Sequence, residues 1–246
     1  MPNLARLEAP SPRAADIHVR EGAAPSARRF TALDGAMLGT LALGVASDGV
    51  ASALGVGPII AWVTLALSLT ALGACLTRAA WRPLLLRLLG LSLVMGIVEL
   101  FTDFSGEIVA RSLIYPPNEP MIWASPAYMP FSWMVTLTLI GYLAWRLWTL
   151  LPGWLAIILT GLWGALNIPY YEEMAYRAGW WRYAAAPSLG HTPYYVLLFE
   201  GLTCAVIPLL VARLEWRGWR AVALRGLALG VWAPWAALFA WLLVGQ

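Results

Sequence analysis

The sequence predicts an all-α, polytopic membrane protein of about seven transmembrane helices. Three observations carry that reading. Of 246 residues, 61% are apolar and only 12% charged, about half the charged share of a soluble domain. Several continuous apolar stretches reach the roughly 20 residues that a bilayer-spanning helix needs. The Arg residues fall in blocks between those stretches. A soluble core of this size could not bury so much apolar surface. The runs are continuous rather than alternating, which argues against a transmembrane β-barrel.

Residues 1–30 are rich in Arg, Ala and Pro and contain no apolar h-region. They are expected to form a disordered cytoplasmic arm rather than a cleavable signal peptide. Residues 31–246 are then a single transmembrane domain. Its helices are expected at about 34–54, 58–77, 84–104, 130–150, 152–171, 193–213 and 220–243. The first of these contains Asp48 and several Gly. Two connections, 105–129 and 172–192, are long and polar-aromatic; the others are short.

Arg placement orients the spans. Thirteen of the 16 basic residues, all of them Arg, belong to the arm, the second-to-third connection, the end of the fourth helix and the sixth-to-seventh connection. The remaining three are Arg111, Arg177 and Arg182, in or beside the long connections. This places the N-terminus in the cytoplasm, the C-terminus outside and both long connections on the outer side of a cell's inner membrane. Lys is absent, which excludes a Schiff-base or Walker-A lysine. Cys75 and Cys204 are too few for a disulfide framework. His18 and His191 are too few for His-rich iron boxes.

The carboxylates divide more sharply than the bases. Asp48, Glu99, Asp103, Glu107, Glu172, Glu173 and Glu200 fall inside helices or at their outer ends. Glu99, Asp103 and Glu107 are spaced i, i+4, i+8, so they share one face if the third helix continues that far. An ionisable group within a span costs at least a few kcal/mol and therefore faces a bundle interior or a wet cavity. Glu99, Asp103, Glu173 and Glu200 are expected to line one cavity in the outer half of the bundle. Glu107, Glu172 and Glu173 have a second reading as solvated helix ends, paired with Arg111 and Arg177; Arg182 completes the supporting cations. Burial and like-charge crowding keep a carboxyl protonated, and such an acid can protonate a carbon–carbon double bond.

The two connections share a loose pattern of acids, an Arg, an aromatic cluster, Pro-rich chain, and Pro followed by an aromatic at the next helix. This suggests a degenerate internal repeat, with the third and fourth helices matching the fifth and sixth. Trp and Tyr at this level commonly form an interfacial belt. The cluster Trp180, Trp181 and Tyr183, beside Glu172 and Glu173, also suits cation stabilisation by aromatic faces. Tyr115, Trp123, Trp133, Tyr170, Tyr194 and His191 complete the candidate substrate-binding residues.

Over about residues 95–200 the chain resembles the bacterial and archaeal carotenoid-biosynthesis membrane proteins that include the carotenoid hydratases. The resemblance rests on Gly106, Arg111, Tyr115 and Pro130–Trp133, then on Gly179-Trp180-Trp181-Arg182-Tyr183 and Gly190-His191-Thr192-Pro193. Ser105-Gly106 stands where that family has a Thr-Gly pair, and Tyr171-Glu172-Glu173 where it has an acidic-Pro step. The chain also looks like small seven-helix membrane terpene cyclases. Pro169-Tyr170-Tyr171-Glu172-Glu173 is similar to the Pro-x-Glu-Glu element of membrane lycopene cyclases. All three resemblances imply a lipophilic isoprenoid taken from the bilayer, with membrane lipids as surroundings and no nucleic-acid partner. They imply hydration or cyclisation without cofactor or metal; burial and acidic neighbours make Glu99 or Glu173 the expected proton donor. Three alternatives stay open: a Mg²⁺-dependent intramembrane prenyltransferase using Glu99, Asp103 and Glu107, a proton-coupled transporter, and a non-catalytic subunit of a membrane complex. The sequence sets no oligomeric state.

Overall fold

The computed structural model describes residues 29–184 and 186–245. All but the last two residues of the expected N-terminal arm lie outside these. Seven long helices follow one another: α1 (Ala32–Leu54), α2 (Ile59–Leu76), α3 (Arg82–Phe104), α4 (Met129–Leu150), α5 (Gly153–Ala178), α6 (Tyr194–Val211) and α7 (Trp219–Val244). α3 is prolonged by a π-helical turn, Ser105–Val109, and a short 3-10 turn, Leu214–Trp216, precedes α7. Six helices, all but α4, are long and apolar enough to cross a membrane. α4 has the length, at 22 residues, but its Trp, Tyr, Thr and Arg residues dilute its hydropathy. The chain is an all-α, multi-pass membrane protein, and the count is close to the seven expected.

Two elements depart from the sequence expectation. α5 does not end near residue 171 but runs through Pro169 to Ala178, where Gly179 closes it with φ 73°. A proline is tolerated inside a membrane helix because neighbouring groups compensate its missing N–H. The second connection therefore starts at residue 179, and Glu172, Glu173 and Arg177 are helical. The π-helical turn changes the angular step after Phe104, so Glu107 does not continue the face shared by Glu99 and Asp103.

Small residues set the helix spacing. A Cβ on Gly96 would lie 2.4 Å from the Pro130 carbonyl oxygen, so α3 and α4 touch backbone to side-chain-free backbone there. A Cβ on Gly164 would lie 2.6 Å from Cys204 Cβ and Sγ, which fixes α5 against α6. A Cβ on Gly226 would meet the Leu91 carbonyl oxygen at 2.5 Å, and one on Gly230 would meet Val98 Cβ at 2.6 Å, which seats α7 on α3.

The two long connections are built on one plan. In the first, β1 (Leu113–Ile114) leads to a hairpin of β2 (Met121–Ile122) and β3 (Ser125–Pro126) that delivers the chain into α4. In the second, β4 (Arg182–Tyr183) leads to a hairpin of β5 (Ser188–Leu189) and β6 (Thr192–Pro193) that delivers it into α6. The two hairpins have matching registers, Met121 with Pro126 and Ser188 with Pro193. Each is closed by the same outer bond: Ala127 N–H donates to the Pro120 carbonyl at 2.8 Å, and Tyr194 N–H to the Pro187 carbonyl at 3.0 Å. β1 and β4 pair with each other, Leu113 with Tyr183 and Ile114 with Arg182, as strands related by a two-fold axis do. The repeat suggested by composition is thus present as geometry.

At the opposite end of the bundle, Thr31 and Asp34 form a capping box at the start of α1. Asp34 also accepts from Tyr142 at 2.7 Å and from Arg146 Nε at 3.0 Å, joining α1 to α4. Trp145 Nε1 donates to Glu215 at 3.0 Å, and Arg87 Nε to the Arg217 carbonyl at 2.7 Å.

Candidate functional site

A cavity of about 810 Å³ occupies the half of the bundle beneath the two connections, near the upper end of the size range of small-molecule sites. Its walls come from all seven helices, and its roof from Leu113, Tyr115, Trp180, Trp181 and Tyr183. The roof is held shut by the β1–β4 pairing and by the Ala184 N–H, which donates to the Ser112 carbonyl at 2.8 Å. Trp180 Nε1 adds a bond of 3.0 Å to the Gly57 carbonyl in the α1–α2 turn.

Five carboxylates line this cavity: Asp48 from α1, Glu99 and Asp103 from α3, Glu172 from α5 and Glu200 from α6. All are buried, Glu99 at 2% exposure and the others at 6–7%. Glu99 lies within electrostatic reach of both Asp103 and Glu200. Its hydrogen bond from Thr102 Oγ1 is long, at 3.3 Å. Asp103 is better served: Ser125 Oγ donates at 2.6 Å, and the Tyr115 hydroxyl donates as well. Glu172 accepts from Trp181 Nε1 at 2.7 Å and from the Tyr183 hydroxyl at 3.3 Å. Asp103 and Glu172 hold corresponding places in the two repeats. Each is satisfied by donors from the connection that follows its own helix. Burial pushes the Tyr115 and Tyr183 hydroxyls well above the usual phenol range, and nearby carboxylates, Asp103 and Glu172 respectively, push them further. Both therefore remain donors at neutral pH.

The candidate residues separate cleanly. Tyr115, Trp133, Trp180, Trp181 and Tyr183 line the cavity beside the acids. Glu173 does not. Consecutive helical residues point about 100° apart, so with Glu172 turned inward Glu173 faces outward. There it pairs with Arg177 Nε at 2.6 Å and His191 Nδ1 at 2.6 Å. The expectation that Glu173 lines the cavity is corrected, and Glu172 stands there instead. His191 stacks on Tyr176 at 3.5 Å between ring centroids, outside the cavity.

Trp123 is 56% exposed and stacks on Phe104 at 4.6 Å. The Tyr170 hydroxyl donates to the Val45 carbonyl at 2.7 Å, and Tyr194 is 45% exposed. None of these three lines the cavity. Their neighbours Tyr171 and Tyr195 do, and so does Tyr128. A one-residue choice within an aromatic pair depends on helix phase, which a loose motif does not fix. The Tyr195 hydroxyl donates to Ser112 Oγ at 3.1 Å. Among the described residues Arg111 and Arg182 form no ion pair, and Arg177 serves Glu173 alone.

Glu119, in the first connection, is buried with both carboxylate oxygens lacking a hydrogen-bond partner. Burial raises its pKa to about 7. Among the described residues no group of three or more His, Cys, Asp or Glu is placed to hold a metal ion. The i, i+4, i+8 run of the prenyltransferase alternative is broken by the π-helical turn.

No curated protein and no solved structure matches the chain. One family model does, over residues 100–244, a stretch that contains both connections and three of the five cavity carboxylates, Asp103, Glu172 and Glu200. The chain belongs to that family, which is described as a domain of unknown function, DUF6989.

Proposed function

We propose that this chain is an integral-membrane enzyme that hydrates or cyclises a carotenoid or terpenoid by protonating one of its double bonds. One observation carries the reading: buried carboxylates from four helices converge on a single cavity whose other walls are mainly apolar and aromatic, with a minority of Ser, Thr and Asn side chains. A soluble-substrate enzyme has no need of such walls, and an isoprenoid offers little to bind except apolar surface and alkene carbons.

In this reading the carboxyl O–H of Glu99 gives its proton to one alkene carbon. A C–H bond forms, the π bond breaks, and the positive charge is left on the more substituted carbon. Ring faces stabilise a cation by their quadrupole, and Trp180, Trp181, Tyr115 and Tyr183 surround the acids. Water then adds its oxygen to the cation and loses a proton, giving an alcohol. Alternatively, a second double bond of the same chain attacks, and loss of a neighbouring proton closes a ring. Asp103 accepts the released proton. It lies one helical turn from Glu99, so return of the proton between them completes the cycle. The step needs no redox cofactor.

We further infer an inner-membrane location with the cavity end outside, from the Arg distribution. The end with the Asp34–Arg146 pair and Arg87 and Arg217 carries most of the cations. Mass comparison of organic extracts from cells with and without the gene identifies substrate and product. In detergent, Glu99→Gln should then lower turnover by a factor on the order of 10²–10⁴, with the protein inserted and folded. Extracts without any difference, together with metabolite uptake in proteoliposomes, would replace this reading with a carrier.

A further inference from the structure

The cavity has a second opening besides its roofed outer end. Val109 and Trp235 line it, yet they are 71% and 64% exposed, and Leu238, also lining, is 48% exposed. A side chain that borders an interior space and also faces the surroundings to this degree marks a break in the wall. The break lies between the π-helical turn Ser105–Val109 and the outer half of α7. Both edges are backbone irregularities. On one side the i+5 bonding widens the helix, and Gly106 contributes no side chain. On the other, Pro234 sits inside α7 and lacks the N–H that would tie it to Gly230. Single π-turns and prolines are the usual means of locally reshaping a helix.

The chemistry of the rim selects its ligand. Gly106, Val109, Ala110, Pro234, Trp235 and Leu238 carry no ionisable group. Such a rim admits hydrocarbon and rejects a charged headgroup. Beyond the carboxylates the cavity continues inward between α1, α2 and α4, lined by Leu41, Gly44, Leu65, Ser68, Leu139 and Ile140. From Asp48 to Thr40 on α1 this inner arm extends about 12 Å, by the helical rise of roughly 1.5 Å per residue.

We propose that the gap between the π-helical turn and Pro234 is a lateral portal to the bilayer. Through it an apolar isoprenoid chain enters and threads past the carboxylates, and its leading end seats in the arm between α1, α2 and α4. The double bond that meets Glu99 then lies within the chain, not at its tip. The portal stands on the geometry alone; the isoprenoid identity rests on the proposed function.

The test uses two photoreactive probes in proteoliposomes: farnesol with a diazirine at its ω end, and a phosphatidylcholine with a diazirine at an acyl terminus. Labelled peptides are mapped by mass spectrometry. The farnesol probe should label segments 41–44, 65–68 and 139–140. Ala110→Trp and Leu238→Trp, which fill the portal, should each cut that labelling at least tenfold at unchanged melting temperature. Leu224→Trp, on the lipid-facing side of the other half of α7, should leave it unchanged. Labelling that persists in both portal variants overturns the portal. So does a wild-type map with no label in α1, α2 or α4, and that map decides the matter even if neither variant folds. If the phospholipid probe labels the arm as strongly as farnesol and the portal variants block both, the portal stands and the isoprenoid reading falls.

Discussion

Trp123 and Gly190 occupy the same left-handed position in two matching hairpins, with φ of 61° and 62°. Glycine adopts this conformation freely, whereas a residue with a Cβ loses about 1–2 kcal/mol there. Trp123 offsets that cost by stacking on Phe104 and meeting Phe101 edge-on at 4.9 Å. Gly190 has no neighbour within 4 Å of where its Cβ would stand. Gly190→Ala should therefore destabilise the protein by about 1–2 kcal/mol through backbone strain alone. SDS-titration unfolding against the parent measures this; an unchanged midpoint would show that the hairpin relaxes without cost.

The acids that share a sequence neighbourhood should differ in function. Glu173→Gln removes only the contacts to Arg177 and His191, outside the cavity. It should leave turnover of the identified substrate within about twofold, since exposed pairs contribute little. Glu172→Gln, inside the cavity, should lose at least tenfold more. Equal effects at the two positions would contradict the inward and outward assignment.

Glu119 gives a pH signature. Its carboxyl has a raised pKa of about 7 against an ordinary 4.5, so the folded state holds a proton that the unfolded chain releases. Stability linked to it is fully present below about pH 4.5 and is lost as pH rises towards 7. Glu119→Gln cannot ionise and should flatten that part of the melting-temperature profile, leaving the variant more stable than the parent at pH 8. Parallel profiles for the two proteins would show that Glu119 is solvated.

A methyl group at Gly164 would collide with Cys204 and approach the Glu200 carbonyl oxygen at 2.8 Å. Gly164→Ala should force α5 from α6 at a cost of about 1–3 kcal/mol and shift Glu200 within the cavity. Gly39→Ala, where nothing lies within 4 Å, should be neutral or slightly stabilising because alanine favours the helix. The pair of variants, compared by SDS titration, separates a packing effect from a propensity effect.

Breaking the α1–α4 link should be costly. Asp34 and Arg146 side chains are 9% and 14% exposed, and Asp34→Ala removes the carboxylate to which both Arg146 and Tyr142 donate. A loss on the order of 3–5 kcal/mol is expected, together with fraying at the start of α1, where Asp34 completes the capping box. A loss below about 1 kcal/mol, the range of exposed pairs, would place the pair in solvent.

Most of the architecture was legible because bilayer thickness fixes the length of an apolar run, and α1 to α4, α6 and α7 begin and end within two residues or so of those runs. α5 was cut short because Pro169, two tyrosines and two acids together read as an interface. Membrane helices accept such a proline, so the helix continued and turned Glu172 inward. The π-helical turn left no compositional trace, since it is a change of bond pattern rather than of residue type. The acids were visible as costly intramembrane charges. The hydrogen-bond partner of Asp103, Ser125, was not, because a serine in a connection carries no signal until the connection folds over the cavity. The repeat was detectable only as a rhythm, and its proof lies in the reciprocal pairing of Leu113 with Tyr183 and Ile114 with Arg182.

That pairing joins the two halves of the repeat across the mouth of the cavity. Melting of that short ladder, a local unfolding event rather than a standing channel, would admit bulk water to the carboxylates through the roof. On the proposed chemistry, the lifetime of the cation is then set against the frequency of that melting. A tight ladder starves the cation of nucleophile and favours ring closure, while a loose one supplies water and favours the alcohol. The ratio of the two products becomes a clock for the opening of four residues of backbone.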